Sequence, residues 1–566
     1  MLYSKLFGKT TREAPSNATL VSHKLLFQAG YIRESTAGRY FFLPLGQRVQ
    51  QKIMKVVKEE MDKAGGQEMV APVLHPLSLW KETNRDKSTG YELSTIKDRR
   101  DFEFALGGTA EEMFVDVVRK FRLSYKDLPF NIYQFSTKFR DELRARGGLL
   151  RVREFIMKDA YSFDANEEEF KKEYLNMRKT YTRIFEKLGL KTIVVESDNG
   201  YIGGEYCHEF VVESPIGESR FFVTSDGSYA AHEDVTKFQR DDINSKDKEL
   251  PFKIIEQPKW VHTMEDNIKH YKLPKSRFIK NVVFKNRLSK EIIIAVIRGD
   301  LEVNKTKLEH VLNAVGQLDS ATAEDLASIG TKPGYVHSWG HKGRYIGDIS
   351  LTTAKNIIGG QKEDLTDSVN VNYGRDFTCE KLADIALVQP GFKTEDGKNT
   401  LHGKKGIEVG NIFQLGYHYT DKLKNATYID REGKEQKYYM GCYGIGIGRT
   451  LAALVEIFHD DRGIIWPEVA APYQIHLIGL DLKDESVKSK VEKIYKDLLD
   501  KNIDVLYDDR VETTAGEKFS DADLIGIPVR LVVSKRTGDK IEFKKRNESI
   551  ASLLDLPSFI SKIKKK

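Results

Sequence analysis

Apolar residues near the start of the chain recur at helical spacing and then give way to a pair of glycines. After Leu45 the apolar positions are Val49, Ile53, Val56, Val57 and Met61. This period predicts an amphipathic helix that ends at Gly65-Gly66, followed by a short strand at 67–70 before Pro72.

The next clear pattern is a pair of strands with a basic stretch between them. Residues 131–135 alternate between polar and apolar side chains, and residues 154–157 form a second strand-like run. The arginine-rich stretch 140–153 lies between the two runs. The pattern therefore predicts an antiparallel pair around a basic loop.

From about Phe221 the pattern changes to that of a separate body. A lysine-rich stretch at 241–259 precedes apolar runs at 280–284 and 292–297 and an amphipathic segment near 308–315. We interpret this region as an inserted α/β domain. It lies ahead of the glycine-rich run 441–449, which opens a helix predicted at 450–458.

Strands and helices alternate in the last hundred residues. Strands are predicted at 474–478, 503–507 and 529–533, and the first helix carries apolar residues at helical spacing: Val487, Val491, Ile494 and Leu498. This order predicts a small α/β domain with largely parallel strands.

Length and composition place the chain among multidomain globular proteins. It has 566 residues, which is too many for one core, and its 40% hydrophobic and 31% charged residues argue against disorder. No 18-residue apolar run and no secretory leader occur, so we expect a cytoplasmic protein without a membrane partner. The formal charge of +6 leaves nucleic-acid binding open. Cys207, Cys379 and Cys442 are too scattered for a disulfide framework or a cysteine-rich zinc site.

Two constellations carry chemistry. Arg140 and Glu142 are two apart at a strand end, so they share a face, and a guanidinium fork suits phosphate or carboxylate. The alternative is a solvated hairpin tip with compensating charges. The run Gly444-x-Gly446-x-Gly448-Arg449 superficially resembles a Rossmann dinucleotide-binding fingerprint. The βαβ unit that such a fingerprint requires is not present around it. One alternative is that the glycines only allow close packing of a helix. A nucleotide site in which Arg449 faces a phosphate is the better interpretation.

The three segments together resemble a known family. The segment before Pro72, the Phe139-Arg140-Asp141-Glu142 segment and the Gly444 to Arg449 run resemble motifs 1, 2 and 3 of class II aminoacyl-tRNA synthetases, in order. Residues 151–163 and 441–446 are similar to bacterial-type prolyl-tRNA synthetases. The resemblance implies an α/β multidomain protein with an α+β catalytic body built on an antiparallel sheet with helices. The implied parts are catalytic residues 1–225 and 406–470, an α/β editing-type insertion at 226–405 and an α/β anticodon-binding domain at 471–566.

The resemblance also implies an ATP site with Mg²⁺. Arg140 would hold the α-phosphate and the substrate carboxylate, Glu142 the adenine amino edge, and Arg449 the γ-phosphate; these three are the expected catalytic residues. Phe155 would stack on adenine and Glu408 would hold Mg²⁺. The complete expected ATP-binding set is Arg140, Glu142, Arg151, Phe155, Glu408, Gln414 and Arg449.

For L-proline, the resemblance implies a pocket with Glu111 neutralising the secondary ammonium. The expected pocket residues are Thr109, Glu111, His208 and Cys442. From the residues alone, the alternative is that Glu111 is an ordinary carboxylate at a helix start. The sequence departs from the family at Gly108, Ala110 and Cys207.

The implied RNA partner is tRNA(Pro). Arg144 and Arg146 are the expected acceptor-stem contacts, and Arg510 and Lys518 the expected anticodon contacts, although each also fits a turn or surface charge.

In the insertion, Lys280 and Asp348 match the family's editing residues, but the loop histidine expected before Asn372 is absent, with Asp367 nearby. A lysine at a strand start is also an ordinary surface residue.

We therefore expect a homodimeric proline-activating enzyme, with the dimer formed through the helix that follows Leu45 and the strand that runs into Pro72. Two alternatives stay open. A threonyl-tRNA synthetase would need a cysteine and two histidines around zinc. A catalytically silent tRNA-binding relative would not need Arg140, Glu142, Glu408 and Arg449 together.

Overall fold

The computed structural model describes residues 1–86, 93–360, 363 and 365–564. The chain forms two compact units. The first comprises Met1–Val194, Gly203–Glu218 and Gly406–Lys566, and the second comprises Val195–Ile202 and Ser219–Lys405. The second unit contains all of the residues 226–405 expected to form the insertion, and the C-terminal segment from 471 belongs to the first unit.

A largely antiparallel sheet is the centre of the first unit. The sheet has nine strands. Six of them follow one another in the order Tyr206–Glu213, His402–Gly416, Tyr439–Gly446, Glu154–Asp164, Phe130–Phe139 and Gly66–Glu68, and the other three are Thr192–Ser197, Ala230–His232 and Ser219–Val223. The expected strand pair is confirmed: Phe130 lies opposite Phe163 and Phe139 opposite Glu154, so the basic loop 140–153 joins their ends. The last strand in that order runs parallel to its neighbour.

The Glu167–Lys187 and Ile447–Ile457 helices pack against this sheet. The α-helices of the body are Val21–Gln28, Pro44–Lys63, Leu77–Glu82, Glu111–Val118, Glu167–Lys187 and Ile447–Ile457. The predicted first helix is confirmed, since the Pro44–Lys63 helix starts with proline at its first turn and buries Val49, Ile53, Val57 and Met61. The strand that carries the first part of the glycine-rich run ends at Gly446, and the helix begins at Ile447 rather than at the predicted residue 450.

A smaller antiparallel sheet lies beside the body. Its strands are Leu74–Pro76, Glu103–Leu106 and Thr95–Lys97. Several large apolar side chains on and beside it are exposed: Val70, Val73, Leu74, Ile96 and Phe102.

The C-terminal segment is a five-stranded sheet with three helices. The strand order is Val505–Asp508, Ile475–Gly479, Val529–Val533, Ile541–Lys545 and Ser552–Leu554, and the helices are Glu485–Leu499, Ala515–Ile525 and Leu556–Lys564. The predicted parallel pairing holds for the first three strands, whereas the last two run antiparallel.

Polar contacts tie this segment to the rest of the first unit. Tyr31 donates its hydroxyl to the carbonyl of Ile525 at 2.7 Å, and Arg48 pairs with Asp504 at 3.1 Å. Ser4 donates its hydroxyl to Asp509 at 2.6 Å. The N-terminal residues and the C-terminal sheet are therefore parts of one packed structure.

The second unit contains a five-stranded and a three-stranded sheet. The first has the order Leu318–Ser320, Ile279–Asn286, Ile292–Arg298, Arg344–Asp348 and Lys381–Ala383, and the second has the order Lys253–Glu256, Thr366–Val371 and Ile357–Gly360. Its helices are Met264–Tyr271, Lys305–Val311 and Ala323–Ser328. The Ile292–Arg298 strand is buried along its whole length, as its apolar run predicts. Within the described residues of the chain, no helix is both long and apolar enough to cross a membrane.

Candidate active site

The floor of the site is a pair of buried glutamates at the start of the Glu111–Val118 helix. Glu111 and Glu112 are both fully buried. Arg85 donates from Nη1 to Glu111 at 3.2 Å and to Glu112 at 2.9 Å. Burial raises the pKa of Glu112, and Arg85 opposes this shift. One guanidinium therefore holds together two carboxylates that would otherwise repel each other away from water.

Glu111 gathers two further expected residues around its carboxylate. Thr109 donates its hydroxyl to Glu111 at 2.7 Å, and the Cys442 sulfur lies 3.4 Å from Oε1 of the same carboxylate. A carboxylate fixed by a guanidinium and a hydroxyl is pre-arranged to accept from an ammonium group. Two of the other expected proline-pocket residues, Thr109 and Cys442, thus both contact Glu111.

Strand register decides which other residues share the face of Cys442. Directly opposed residues project to the same face of a sheet. Cys442 lies opposite Phe413 and Tyr161, and Phe413 lies opposite Cys207. Cys207 is therefore on the pocket face of the sheet.

His208, the next residue, projects to the other face, which the Glu167–Lys187 helix covers. It lies opposite Ile412, and the Tyr174 hydroxyl of that helix is 2.7 Å from its Nδ1. Burial lowers the pKa of His208 to about 4, and Arg178 adds to the shift. Strand alternation thus places Cys207, and not His208, on the same face of the sheet as Cys442.

Gln414 is on the same helix-covered face. It lies opposite Gly441, and a Cβ placed on Gly441 would meet the Phe170 ring of the covering helix. Gln414 is fully buried and its amide donates to Glu205 and Tyr439. The Gln414 amide, expected to bind ATP, therefore lies on the face of the sheet opposite Cys442 and is bonded there.

The expected adenine and α-phosphate residues lie at the end of the Phe130–Phe139 strand. Arg140 donates from Nε to the carbonyl of Gly108 at 3.1 Å, and its guanidinium lies 5.3 Å from the centre of the Phe155 ring. Arg151 donates to Glu142 from Nε at 3.0 Å and from Nη2 at 2.7 Å. The Glu142 carboxylate accordingly raises the pKa of Arg151.

Arg449 is held from two sides at the first turn of the Ile447–Ile457 helix. It forms an ion pair with Glu408 and donates from Nε to the carbonyl of Leu150 at 2.9 Å. Leu150 belongs to the basic loop, so Arg449 is joined to the segment that also carries Glu142 and Arg151. The guanidinium and the carboxylate expected at the γ-phosphate and Mg²⁺ are thus in direct contact.

Sequence reasoning missed the polar residues that fix these strands. Asp159 pairs with Lys138 at 2.9 Å and accepts from the Gln134 amide at 3.0 Å and the Tyr161 hydroxyl at 3.1 Å. Tyr161 in turn accepts from the backbone N–H of Ala110 at 3.0 Å. The alternation of Asp159 and Tyr161 in one strand could have placed both on the pocket face. No local sequence pattern could have identified Arg85 as the partner of Glu111 and Glu112.

The expected RNA-contacting residues differ in exposure. Arg144 is exposed on the basic loop, and Arg146 pairs with Glu218 at 2.6 Å while remaining exposed. Arg510 pairs with Asp508 and Asp521 at 2.7 and 2.9 Å. Lys518 is only 2% exposed and donates to the carbonyl of Gly479 at 2.7 Å. Both C-terminal cations therefore hold the domain's own structure.

The two expected editing residues occupy different environments in the second unit. Lys280 donates to the carbonyl of Leu301 at 2.9 Å and to Glu302 at 2.5 Å. Asp348 is fully buried, pairs with Arg240 at 3.1 Å, and accepts from the backbone N–H groups of Ser350 and Ile385. Its oxygens are committed to the interior of the unit. Asp367, the residue near the missing histidine, accepts from the Tyr271 hydroxyl at 2.6 Å.

Two known family models together match most of the chain. Residues 91–458 match the tRNA synthetase class II core domain (G, H, P, S and T). Residues 474–566 match the anticodon binding domain.

Curated relatives match the whole chain. The proline–tRNA ligase of Sulfurihydrogenibium sp. is 43% identical over 564 residues, covering 100% of this chain and 99% of its own. Those of Dehalococcoides mccartyi and Bacillus velezensis are 41% and 40% identical, covering 100% and 97% of this chain and 98% of their own.

A solved structure shares the fold. The Giardia lamblia prolyl-tRNA synthetase in complex with prolyl-adenylate aligns with a TM-score of 0.56 at 16% identity, covering 94% of this chain and 74% of its own.

Proposed function

The chain belongs to the proline–tRNA ligases, a family of class II aminoacyl-tRNA synthetases, and from this premise we propose that it activates L-proline with ATP and transfers the prolyl group to tRNA(Pro). The observation that carries the proposal is the contact of Arg85, Thr109 and Cys442 with the buried Glu111 carboxylate. A fixed buried carboxylate neutralises the ammonium group of an amino acid. Without such a partner, the loss of hydration would make the binding of that charge unfavourable.

In the activation step the proline carboxylate attacks the α-phosphorus of ATP, and pyrophosphate leaves with the electrons of the broken P–O bond. Negative charge gathers on the phosphoryl oxygens in the transition state. Arg140 and Arg449 supply fixed guanidinium groups, and Phe155 offers a ring face to adenine. These side chains are oriented by existing contacts, so little reorganisation is needed when charge develops.

Transfer completes the reaction. A terminal ribose hydroxyl of the tRNA attacks the prolyl carbonyl, the ester to the tRNA forms, and AMP leaves. The exposed Arg144 and Arg146 on the basic loop are suited to the phosphates of the acceptor stem, whereas Arg510 and Lys518 would have to leave internal ion pairs to reach RNA.

Mg²⁺ fits the donor set at the phosphate end. It is typically held by one or two carboxylates together with substrate phosphates, and Glu408 offers carboxylate oxygens beside Arg449. Glu408 would hold the ion, which would supply further positive charge to the phosphates when bound. Among the described residues, no group of three metal-ligating side chains of a zinc type converges.

We further propose that the enzyme works in the cytoplasm as a homodimer. None of its three cysteines is in a disulfide, which agrees with a reducing compartment. The exposed apolar side chains around the small sheet, such as Val70 at 80% and Phe102 at 53%, form a surface that a second copy would cover.

The second unit is proposed to hydrolyse Ala-tRNA(Pro). A pocket for proline rejects the smaller alanine only by about 1 to 3 kcal/mol per missing methylene. A second site that hydrolyses alanyl-tRNA would therefore improve the accuracy of charging. Lys280 is the polar residue that supports the proposal, since part of its side chain is exposed at the strand. Asp348 is buried in an ion pair with Arg240. Replacing Asp348 would therefore unfold the unit locally rather than remove a reacting group.

The editing proposal has a direct assay. Purified enzyme should hydrolyse Ala-tRNA(Pro) above the spontaneous rate, and Lys280→Ala should slow that hydrolysis without changing proline activation. Lys285→Ala, on the same strand, is the matched control. Hydrolysis at the spontaneous rate by the unaltered enzyme would reject editing while leaving synthesis untouched.

Charging of tRNA tests the main proposal. With ATP and Mg²⁺ the full chain should attach proline to a tRNA(Pro) transcript and should not attach threonine to tRNA(Thr). Threonine charging would favour the threonyl alternative, and tRNA binding with no charging would favour the silent relative.

A further inference from the structure

A small cavity in the C-terminal segment is lined mainly by cations. It measures about 10 Å³, room for one water-sized occupant. Its charged and polar lining residues are His476, Asp523, Arg530, Lys544, Lys545 and Arg546. Four of these are cations and one is a carboxylate. The cavity is far in sequence from the residues proposed to bind proline and ATP.

Three potential hydrogen-bond donors on its wall are on one face of the sheet. His476 lies opposite Arg530, and Arg530 lies opposite Lys544, so their side chains project together. His476 is 1% exposed and both its ring nitrogens lack a partner in the described part of the chain. The same holds for Nε of Arg530. Lys544 forms no ion pair with any described residue.

The carboxylates nearby are already shared. Asp523 is 3.2 Å from Arg462, 3.6 Å from Arg530 and 3.9 Å from Arg546. Asp460 is engaged by Arg546 at 2.6 Å and by Arg462 at 3.4 Å. Two carboxylates thus face three guanidinium groups, before Lys544 is added. Glu542 acts on Arg530 only through space, and Lys545 pairs with Glu548 at 3.1 Å.

The excess positive charge acts on the lysine. Burial lowers the pKa of Lys544, and the positive charges of Arg530, Arg462 and Arg546 add to the shift. Burial also lowers the pKa of His476 to about 4, so at neutral pH its ring is uncharged and carries one N–H donor. A negatively charged occupant would offset the excess positive charge. If it also accepts hydrogen bonds, it would pair with the N–H of His476.

The backbone next to the lining residues Asp523 and Ile527 is closely packed. A Cβ on Gly526 would lie 2.2 Å from the carbonyl of Ile464, and one on Gly463 would lie 2.4 Å from Cα of Leu524. Tyr3 stacks over His476 with 6.3 Å between ring centres. The hairpin at 459–464 and the N-terminal segment thus contact residues that line the cavity, through Asp460 on Arg546 and Tyr3 on His476.

We propose that this cavity binds a monatomic inorganic anion of chloride size, which accepts from His476 and Arg530 and neutralises Lys544. The size of the cavity favours a halide over phosphate or sulfate, which have four oxygens to place. Bound there, the anion stabilises the junction of the C-terminal sheet with the catalytic body, and it takes no part in the reaction with proline.

Crystals of the full chain grown with bromide in place of chloride test the site directly. An anomalous bromine peak within hydrogen-bond distance of His476 and of Nε of Arg530 is the expected result. An ordered water there without anomalous signal, or an empty cavity, would overturn the proposal.

Thermal unfolding tests the same site in solution. At equal ionic strength, exchanging gluconate for chloride should raise the Tm of the unaltered chain by about 2 °C. Lys544→Met should lose this response and should be more stable than the unaltered chain in gluconate, because a repelling charge is gone. Lys540→Met, an exposed lysine just before the same strand, should keep the full response.

Equal responses in all three proteins would contradict the proposal. So would a larger gain from sulfate than from chloride after subtraction of the Lys544→Met response, since that would indicate a polyatomic anion. Neither measurement uses aminoacylation, so the result is independent of the proposed function.

Discussion

At the scale of single residues, the pocket is set by contacts between residues distant in the sequence. Thr109 and Glu111 were recognisable because they are two apart in one segment. Arg85 was not, because a lone arginine 26 positions before Glu111 carries no local signal of the ion pair. Its role follows only from folding, which places a guanidinium between two buried carboxylates.

Arg85 is therefore a positioning residue for the proline pocket. We expect Arg85→Met to raise KM for proline about 10- to 100-fold with a smaller change in kcat, because Glu111 loses its fixed partner. Arg85→Lys should restore part of the affinity. Steady-state pyrophosphate exchange measures both constants.

The control for this prediction is Arg119→Met, which removes an arginine from ion pairs with Glu82 and Asp116 near the end of the same helix. It should leave KM for proline near its original value. An unchanged KM in folded Arg85→Met would show that Glu111 needs no guanidinium.

Arg140 and Arg449 are expected to act on the transition state. Replacing either by alanine should lower proline-dependent pyrophosphate exchange at least about 100-fold, the scale of losing one charge contact in the transition state. The exposed Arg122→Ala is the control. Near-normal exchange in Arg140→Ala would remove it from the catalytic set.

At the scale of elements, the sequence predicted the strands better than their faces. The pair around the basic loop could be recognised by alternation and by the loop's charge. The face of His208 and Cys207 could not, because register is set by pairing with the His402–Gly416 strand, about 200 residues later. One residue of shift exchanges the two faces, so the sequence could not show that Cys207, rather than His208, shares the face of Cys442.

Two long helices are joined by one buried carboxylate. Glu60 of the Pro44–Lys63 helix contacts Arg183 at 2.9 Å and Lys187 at 2.7 Å on the Glu167–Lys187 helix, and Lys63 at 3.0 Å. Hydrogen bonds from Lys187 and the other cations lower the pKa of Glu60 to about 2. We expect Glu60→Gln to reduce the free energy of unfolding in urea by about 1 to 3 kcal/mol.

The pH dependence of that loss has a definite sign. Because the folded pKa lies below the ordinary value of 4.5, the stabilisation is complete above pH 4.5 and disappears as the pH falls towards 2. The difference between the unaltered chain and Glu60→Gln should shrink over that range. Glu59→Gln, an exposed neighbour, should show no such difference.

At the scale of the whole molecule, the C-terminal segment is tied into the first unit more closely than its sequence suggests. The strand and helix order predicted a separate α/β domain, and the structure has that domain. Its contacts with Tyr31, Arg48 and the N-terminal residues could not be predicted, since they join positions more than 400 apart. Removing it would expose apolar surface on the body, so point variants are the better probe.

The exposed apolar surface predicts a dimer. The unaltered chain should scatter light as a dimer at micromolar concentration, and Val70→Asp should shift it towards monomer because a charge would be buried in the interface. Leu288→Asp, at an exposed site of the second unit, is the control. A monomeric unaltered chain would contradict the homodimer.

The central claim is that the Glu111 pocket selects proline for activation by ATP. The measurement that tests it most directly is amino-acid-dependent exchange of pyrophosphate into ATP, made with the full chain and each of the twenty amino acids in turn. Proline should give the highest exchange, with only weak exchange from close analogues such as alanine. Exchange driven by threonine, or none with any amino acid, would contradict the account.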